Sequence, residues 1–281
     1  MREPEGAGRA FPPPLSVSFM PLKDLLVSIA PEDLRATHPA AGFAIGLAGR
    51  CDAHLTALVV ALAGETSPLR ESHQAAAAAE AESFSERAER AGIRYETVTE
   101  PAGADPADRL PERARLHDLA ILPASDRFGT PVEMIEAVLT RSGRPALIVP
   151  EATAAFSCTH VALAWDGTAP AARALREALP LMRLAGQATV FTIADDRPDH
   201  LGEVGQALCR HLGRHGVQAR FHHATSGGSA VPEALGRAAR ELGADVLAMG
   251  AFAHSPWRDL LVGSATRAVL SDPPMPVLLS T

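Results

Sequence analysis

The chain has 281 residues, enough for two domains of common size, and its 26 Lys+Arg against 33 Asp+Glu leave a formal net charge of −7, which points away from a basic nucleic-acid surface. With 47% hydrophobic and 21% charged residues and a mean hydropathy near zero, it can bury a sizeable core and is neither disordered nor fibrous in composition. Arg50, Asp52 and Glu65 break the Ala-rich first half into runs well short of the roughly 20 apolar residues of a spanning helix. The opening residues carry charges and Pro12-Pro13-Pro14 where a secretory signal needs a continuous apolar stretch, so the expectation is a cytoplasmic protein without a membrane span.

Residues 1–19 lack periodicity and read as a tail, with Met20 a second candidate start. From there, short apolar runs alternate with longer amphipathic stretches, the pattern of βαβ units in a parallel sheet covered by helices on both faces. Strands are predicted over 25–29, 54–60, 93–98, 118–122 and 146–149, with helices over 39–50, 69–91, 107–116 and 132–141. The order then repeats: strands over 160–165, 188–193, 217–222, 246–249 and 276–279, and helices over 169–185, 201–215, 230–242 and 264–270. Each half closes with a proline and a buried strand, Pro145 before 146–149 and Pro276 at the start of the last strand. A repeat of about 130 residues predicts tandem domains, 20–151 and 157–281, because solenoid repeats are far shorter. Cys51, Cys158 and Cys209 are widely spaced and form no C-x-x-C pair, so they read as small hydrophobes and not as a disulfide or zinc framework.

Three segments of the second half carry chemistry. Trp165-Asp166-Gly167-Thr168 stands at the carboxyl end of that half's first strand, where open α/β sheets bind ligands, and Asp166 is a candidate acceptor for a ribose or base. Met249-Gly250-Ala251-Phe252-Ala253-His254-Ser255 leaves the fourth strand as a small-residue loop that lets backbone approach phosphates. Gly263-Ser264-Ala265-Thr266-Arg267 places a glycine and a hydroxyl at the first turn of a helix, an anion site by its free N–H groups and dipole.

On these residues the sequence resembles the universal stress protein family, in its tandem-domain form. That family's fingerprint is Gly, two residues, Gly, nine residues, then Gly with Ser or Thr; here Gly250, Ala253 and Gly263-Ser264 keep the spacing and depart at one position. The resemblance implies open parallel five-stranded sheets of order 3-2-1-4-5 with helices on both faces, a Rossmann-like α/β fold. It also implies an adenine nucleotide (ATP, or ADP or AMP, with or without Mg²⁺) held by Asp166, Gly167, Thr168, Val190, Thr192, Gly250, Ala253, Gly263, Ser264 and Ala265 in the second half. The fifth strands of the two halves are expected to associate as a pseudo-dimer within one chain, with further homodimerisation open, and the output to be regulatory or sensing, through an unidentified protein partner.

The first half departs further. Ala30-Pro31-Glu32 replaces the Asp-Gly-Thr, the stretch from Pro123 to Phe128 lacks the glycine spacing, and Val132-Glu133 replaces Gly-Ser at the helix start, with Glu133 supplying a negative charge where a phosphate would sit. This half is expected not to bind ATP. No lysine clamp, general base or metal cluster accompanies the second-half loop, whose nearby cations are Arg258 and Arg267, so no catalytic residue is assigned and nothing beyond slow ATP hydrolysis or autophosphorylation is expected. Two other readings stay open: a scaffold acting through protein contacts without nucleotide, and an enzyme of the same architecture such as a nucleotidyl transferase or an electron-transfer flavoprotein-like subunit. Ser226-Gly227-Gly228-Ser229 is similar to the start of the PP-loop of ATP pyrophosphatases, but it follows the third strand, lacks the Asp-Ser pair and reads as a flexible turn on the ligand edge. His211 and His215, four residues apart with His222-His223 nearby, lack a zincin glutamate and read as a solvated helix face.

Overall fold

The computed structural model describes residues 22–29, 39–59, 70–100, 105–124, 132–195, 201–251 and 273–281. In the first half these form β1 (Asp24–Ile29), α1 (Pro39–Cys51), β2 (His54–Val59), α2 (Arg70–Ala91), β3 (Arg94–Thr99), α3 (Pro106–Ala114), β4 (Leu119–Pro123), α4 (Val132–Arg141) and β5 (Ala146–Val149). The second half supplies β6 (Val161–Ala164), α5 (Ala169–Ala185), β7 (Ala188–Ile193), α6 (Leu201–Arg214), β8 (Ala219–Ala224), α7 (Val231–Glu241), β9 (Val246–Gly250) and β10 (Val277–Ser280). The helix expected over 264–270 lies outside the described residues.

The sheet is one, not two. Its order is β3-β2-β1-β4-β5-β10-β9-β6-β7-β8, so each half keeps the expected 3-2-1-4-5 order with parallel pairing. The two expected sheets merge because β10 pairs antiparallel with β5, Leu278 opposite Leu147. Each fifth strand would otherwise end its sheet with a row of unpaired backbone groups beside apolar side chains, and each covers the other. Thr281 adds a hydroxyl bond to the Leu139 carbonyl across the same boundary.

Alternation along the strands splits the interior into two layers. Leu25, Val27, Val161 and Leu163 face a layer filled from α1, α2, α5 and α6, including Phe43, Phe84, Leu175 and Leu212. Leu26, Ala120, Ala162 and Leu247 face the opposite layer, filled from α3, α4 and α7 by residues such as Leu110, Ile135 and Ala239. Central strands buried on both sides read as continuous apolar runs, whereas the edge strand β3 carries exposed Arg94 and Glu96. Linker residue Phe156 stacks edge-on to Phe43, with ring centroids 4.9 Å apart, and a Cβ on Gly46 would collide with the Phe156 Cβ. The absence of a side chain at Gly46 is therefore what admits the linker against α1.

The repeat is visible bond by bond. Asp118 accepts from the Lys23 and Asp24 amides and returns its own N–H to the Asp24 carbonyl. Asp245 accepts from the Thr159 and His160 amides and returns its N–H to the His160 carbonyl. This fixes Asp24 as the counterpart of His160, and the strand registers extend the correspondence: Thr56 to Thr189, Val59 to Thr192, and Pro123 to Gly250. Several predicted strand starts shift by a residue or two, and for β3 and β8 the cause is visible. Ile93 and Val217 donate to Ala88 and Leu212 across left-handed Gly92 and Gly216, closing the preceding helices, so β3 starts one residue and β8 two residues later than expected.

Candidate functional site

In each half the direction of winding reverses between the first and fourth strands, opening a crevice at their carboxyl ends. In the second half that crevice lies between β6 and β9. Beyond β6, Gly167 takes φ +79°, which frees the chain to turn back into α5. Asp166 Oδ1 accepts from both the Thr168 amide (3.0 Å) and the Thr168 hydroxyl (2.6 Å), while Thr168 caps α5 by accepting from Ala171 at 3.4 Å. Among the described residues no hydrogen bond engages Asp166 Oδ2, and the side chain is exposed. The Asp-Gly-Thr run thus caps the helix and places a carboxylate at the strand edge.

Gly250 closes the other side. A Cβ there would lie 2.6 Å from the Ala171 amide nitrogen and 2.6 Å from the Pro170 carbonyl carbon, so the end of β9 packs directly on the first turn of α5. Ala251 then donates to the Ser280 carbonyl at 2.7 Å. On β7, the Thr192 hydroxyl donates to the Trp165 carbonyl at 2.7 Å, tying the ends of β6 and β7 together. Val190 belongs elsewhere: its side chain is wholly buried in the α5/α6 layer, which leaves Thr192 as the predicted β7 side chain near the edge. Asp166, Gly167, Thr168, Thr192 and Gly250 converge; Ala253, Gly263, Ser264 and Ala265 lie outside the described residues.

The first half carries different residues at the corresponding described positions. Val59 stands where Thr192 does and Pro123 where Gly250 does, and Glu133 sits in the first turn of α4. Ala30 to Glu32 and Ser125 to Phe128 lie outside the described residues.

Beside the crevice is a constellation that the sequence reading did not find. Asp195, just beyond β7, accepts from the Ser226 amide and hydroxyl, each at 2.8 Å. Those bonds and one from the Gly227 amide hold its carboxyl below the ordinary range. Arg237 of α7 donates to the Ser229 hydroxyl and to the Thr225 and Ser226 carbonyls. The Ser226-Gly227-Gly228-Ser229 segment is therefore tied down, not the flexible turn expected, and its amides already embrace the chain's own carboxylate. The 31-residue separation of Asp195 from Ser226 hides this pairing from any local motif.

At the opposite edge, His160, 5% exposed, shares the wholly buried Thr189 hydroxyl with Arg220: Nε2 lies 2.9 Å and the guanidinium Nε 3.2 Å from Oγ1. The cysteines are free thiols, and burial first, with Asp245 and Cys51 adding, pushes the Cys158 thiol up to about 12. Among the described residues no group of three or more His, Cys, Asp or Glu is arranged to hold a metal, and no helix is long and apolar enough to cross a membrane.

An open parallel sheet of order 3-2-1-4-5, repeated and joined through its fifth strands, with a turn-capped aspartate at the crevice of one repeat, defines a tandem doubly wound α/β protein. Residues 158–280 match the model of the universal stress protein family. Across both halves the fold is similar to that of a universal stress protein from Archaeoglobus fulgidus (17% identity, covering 91% of this chain and 96% of that one, TM-score 0.68). It is also similar to a Pseudomonas aeruginosa protein provisionally named a universal stress protein (20% identity, 92% and 93% covered, TM-score 0.56) and to another from that organism described as functionally unknown (18% identity, 91% and 92% covered, TM-score 0.56). No curated protein matches the sequence.

Proposed function

We propose that this protein binds one adenine nucleotide per chain in its second half and acts as a regulatory or sensing module of the stress response. The observation that carries the reading is the crevice between β6 and β9. There Asp166 Oδ1 holds the turn while no hydrogen bond among the described residues engages Oδ2, and Gly250, first residue of the nucleotide fingerprint, brings backbone flush against the α5 N-terminus. Asp166 accepts from a ribose hydroxyl, Thr192 edges the base, and the segment from Gly250 through Ala253 to Gly263, Ser264 and Ala265 wraps the phosphates with backbone N–H groups. The two halves act as separate domains, 20–151 and 157–281, the first without nucleotide. ATP is the first ligand to test, with Mg²⁺ supplied alongside; the protein works in the cytoplasm, and its output is nucleotide-dependent capture of another protein. Calorimetric titration with ATP of the wild type and of Asp166→Asn tests the assignment: one equivalent per chain, weakened at least tenfold in the variant, is the expected result.

A second reading has its own support. Gly250 is required by its packing on Pro170 and Ala171 whether or not a ligand binds, so the glycine persists equally in a scaffold that works through protein contacts alone. Absence of nucleotide binding to the wild type selects that reading.

A further inference from the structure

We infer that His211, in the last turn of α6, and His215, in the turn just beyond it, form a two-imidazole clip for a borderline divalent transition ion such as Zn²⁺, Ni²⁺ or Cu²⁺, apart from the nucleotide crevice. The two rings are neighbours, with centroids 4.8 Å apart and planes inclined at 60°. Both residues are exposed, so open coordination positions can be filled by water. An ion about 2.0–2.1 Å from one nitrogen of each ring sits roughly 3.2 Å from each centroid, and the observed separation then corresponds to a ligand angle of roughly 95–100°, between the square-planar and tetrahedral values. Imidazole suits these ions, and the turn that ends α6, where the His215 amide donates to the Leu212 carbonyl, brings the His215 ring beside that of His211.

Across the turn, the Arg183 guanidinium lies 3.7 Å from where a Gly216 Cβ would be. The adjacent histidines take no part. His223 Nε2 donates to the Ala194 carbonyl at 2.8 Å near the carboxyl end of β7, whereas His215 follows the end of α6, before β8 begins. The four histidines that are close in sequence therefore split into two unrelated places.

The test uses the full chain and the metal alone. Binding of Zn²⁺ and Ni²⁺ is followed by calorimetry for the wild type, His211→Gln, His215→Gln and a His222→Gln/His223→Gln control, while Cu²⁺ at substoichiometric amounts is added to the wild type and histidine ring resonances are read by NMR. The inference expects one ion per chain at about pH 7.5, a loss of tenfold or more in either single variant, near wild-type binding in the control, and first broadening at His211 and His215. Because metal binding needs neutral imidazoles, affinity also falls at about pH 5.5. Unchanged binding in both single variants, no binding by the wild type, or first broadening at other histidines overturns it; the NMR arm decides the matter even if a variant fails to fold.

Discussion

Gly250 and Ala171 are in backbone contact: a methyl group on the glycine would come within 2.6 Å of the Ala171 amide nitrogen. That contact sets the depth of the second-half crevice, because it seats the end of β9 on the first turn of α5, next to the Thr168 cap. Gly250→Ala must push helix and strand apart. The expected cost is about 1–3 kcal/mol of stability by overpacking against backbone, together with a loss of ATP affinity. Urea denaturation and calorimetric titration of the same variant check both; a variant as stable as the wild type contradicts the packing role.

Asp166 separates structure from binding. In Asp166→Asn the side-chain oxygen can still accept from Thr168, so stability should stay within about 0.5 kcal/mol of wild type, while ATP affinity falls at least tenfold as the carboxylate is lost. Asp166→Ala removes both Thr168 bonds and should cost about 1 kcal/mol besides. Thermal melting of the pair beside titration reads the two effects independently.

Thr189→Val tests the buried polar cluster at the amino-terminal edge. It leaves the His160 ring, 5% exposed, without its hydroxyl partner and should cost about 1–3 kcal/mol without altering ATP affinity, since the crevice lies at the opposite edge. A neutral outcome in urea denaturation would show that water replaces the hydroxyl at no cost.

Two aspartates predict the acid limb of stability. Burial pushes the Asp245 carboxyl up, but bonds from Thr159, Ser157 and His160 outweigh it and leave the pKa lowered; Ser226 and Gly227 lower that of Asp195. A carboxyl whose folded pKa is depressed contributes stability in place above its unfolded value of about 3.9, lost as pH falls through the folded value. Urea midpoints should therefore be level for these groups above about pH 5 and fall below about pH 4, and Asp245→Asn should shrink that fall. An equal fall in the variant would assign it to other carboxyls.

Most of the strands were legible because central parallel strands such as Leu25 to Ile29 and Ala146 to Val149 are apolar on both faces and stand out as runs. The starts of β3 and β8 were not, since Ile93 and Val217 look like strand residues yet close the helices before them through left-handed glycines. The antiparallel union of β5 and β10 joins strands far apart in the chain; no local pattern encodes it, and only the resemblance to tandem proteins suggested that the fifth strands meet. Asp166 was legible as a strand-end carboxylate, whereas its turn and the Thr168 cap came only with the structure. Val190 was misplaced as a ligand contact because an apolar residue in a strand reads the same whether it faces a cleft or the core. Asp195, Ser226 and Arg237 went unseen because their bonds span 31 and 11 residues.

The most direct test of the central claim is an ATP titration by calorimetry of the wild type and of Gly263→Asp, which puts a negative charge into the phosphate part of the fingerprint. One equivalent per chain, abolished in the variant, is the predicted result. Two equivalents per chain would restore the first half as a binding site, and no heat with the wild type would contradict the nucleotide assignment altogether.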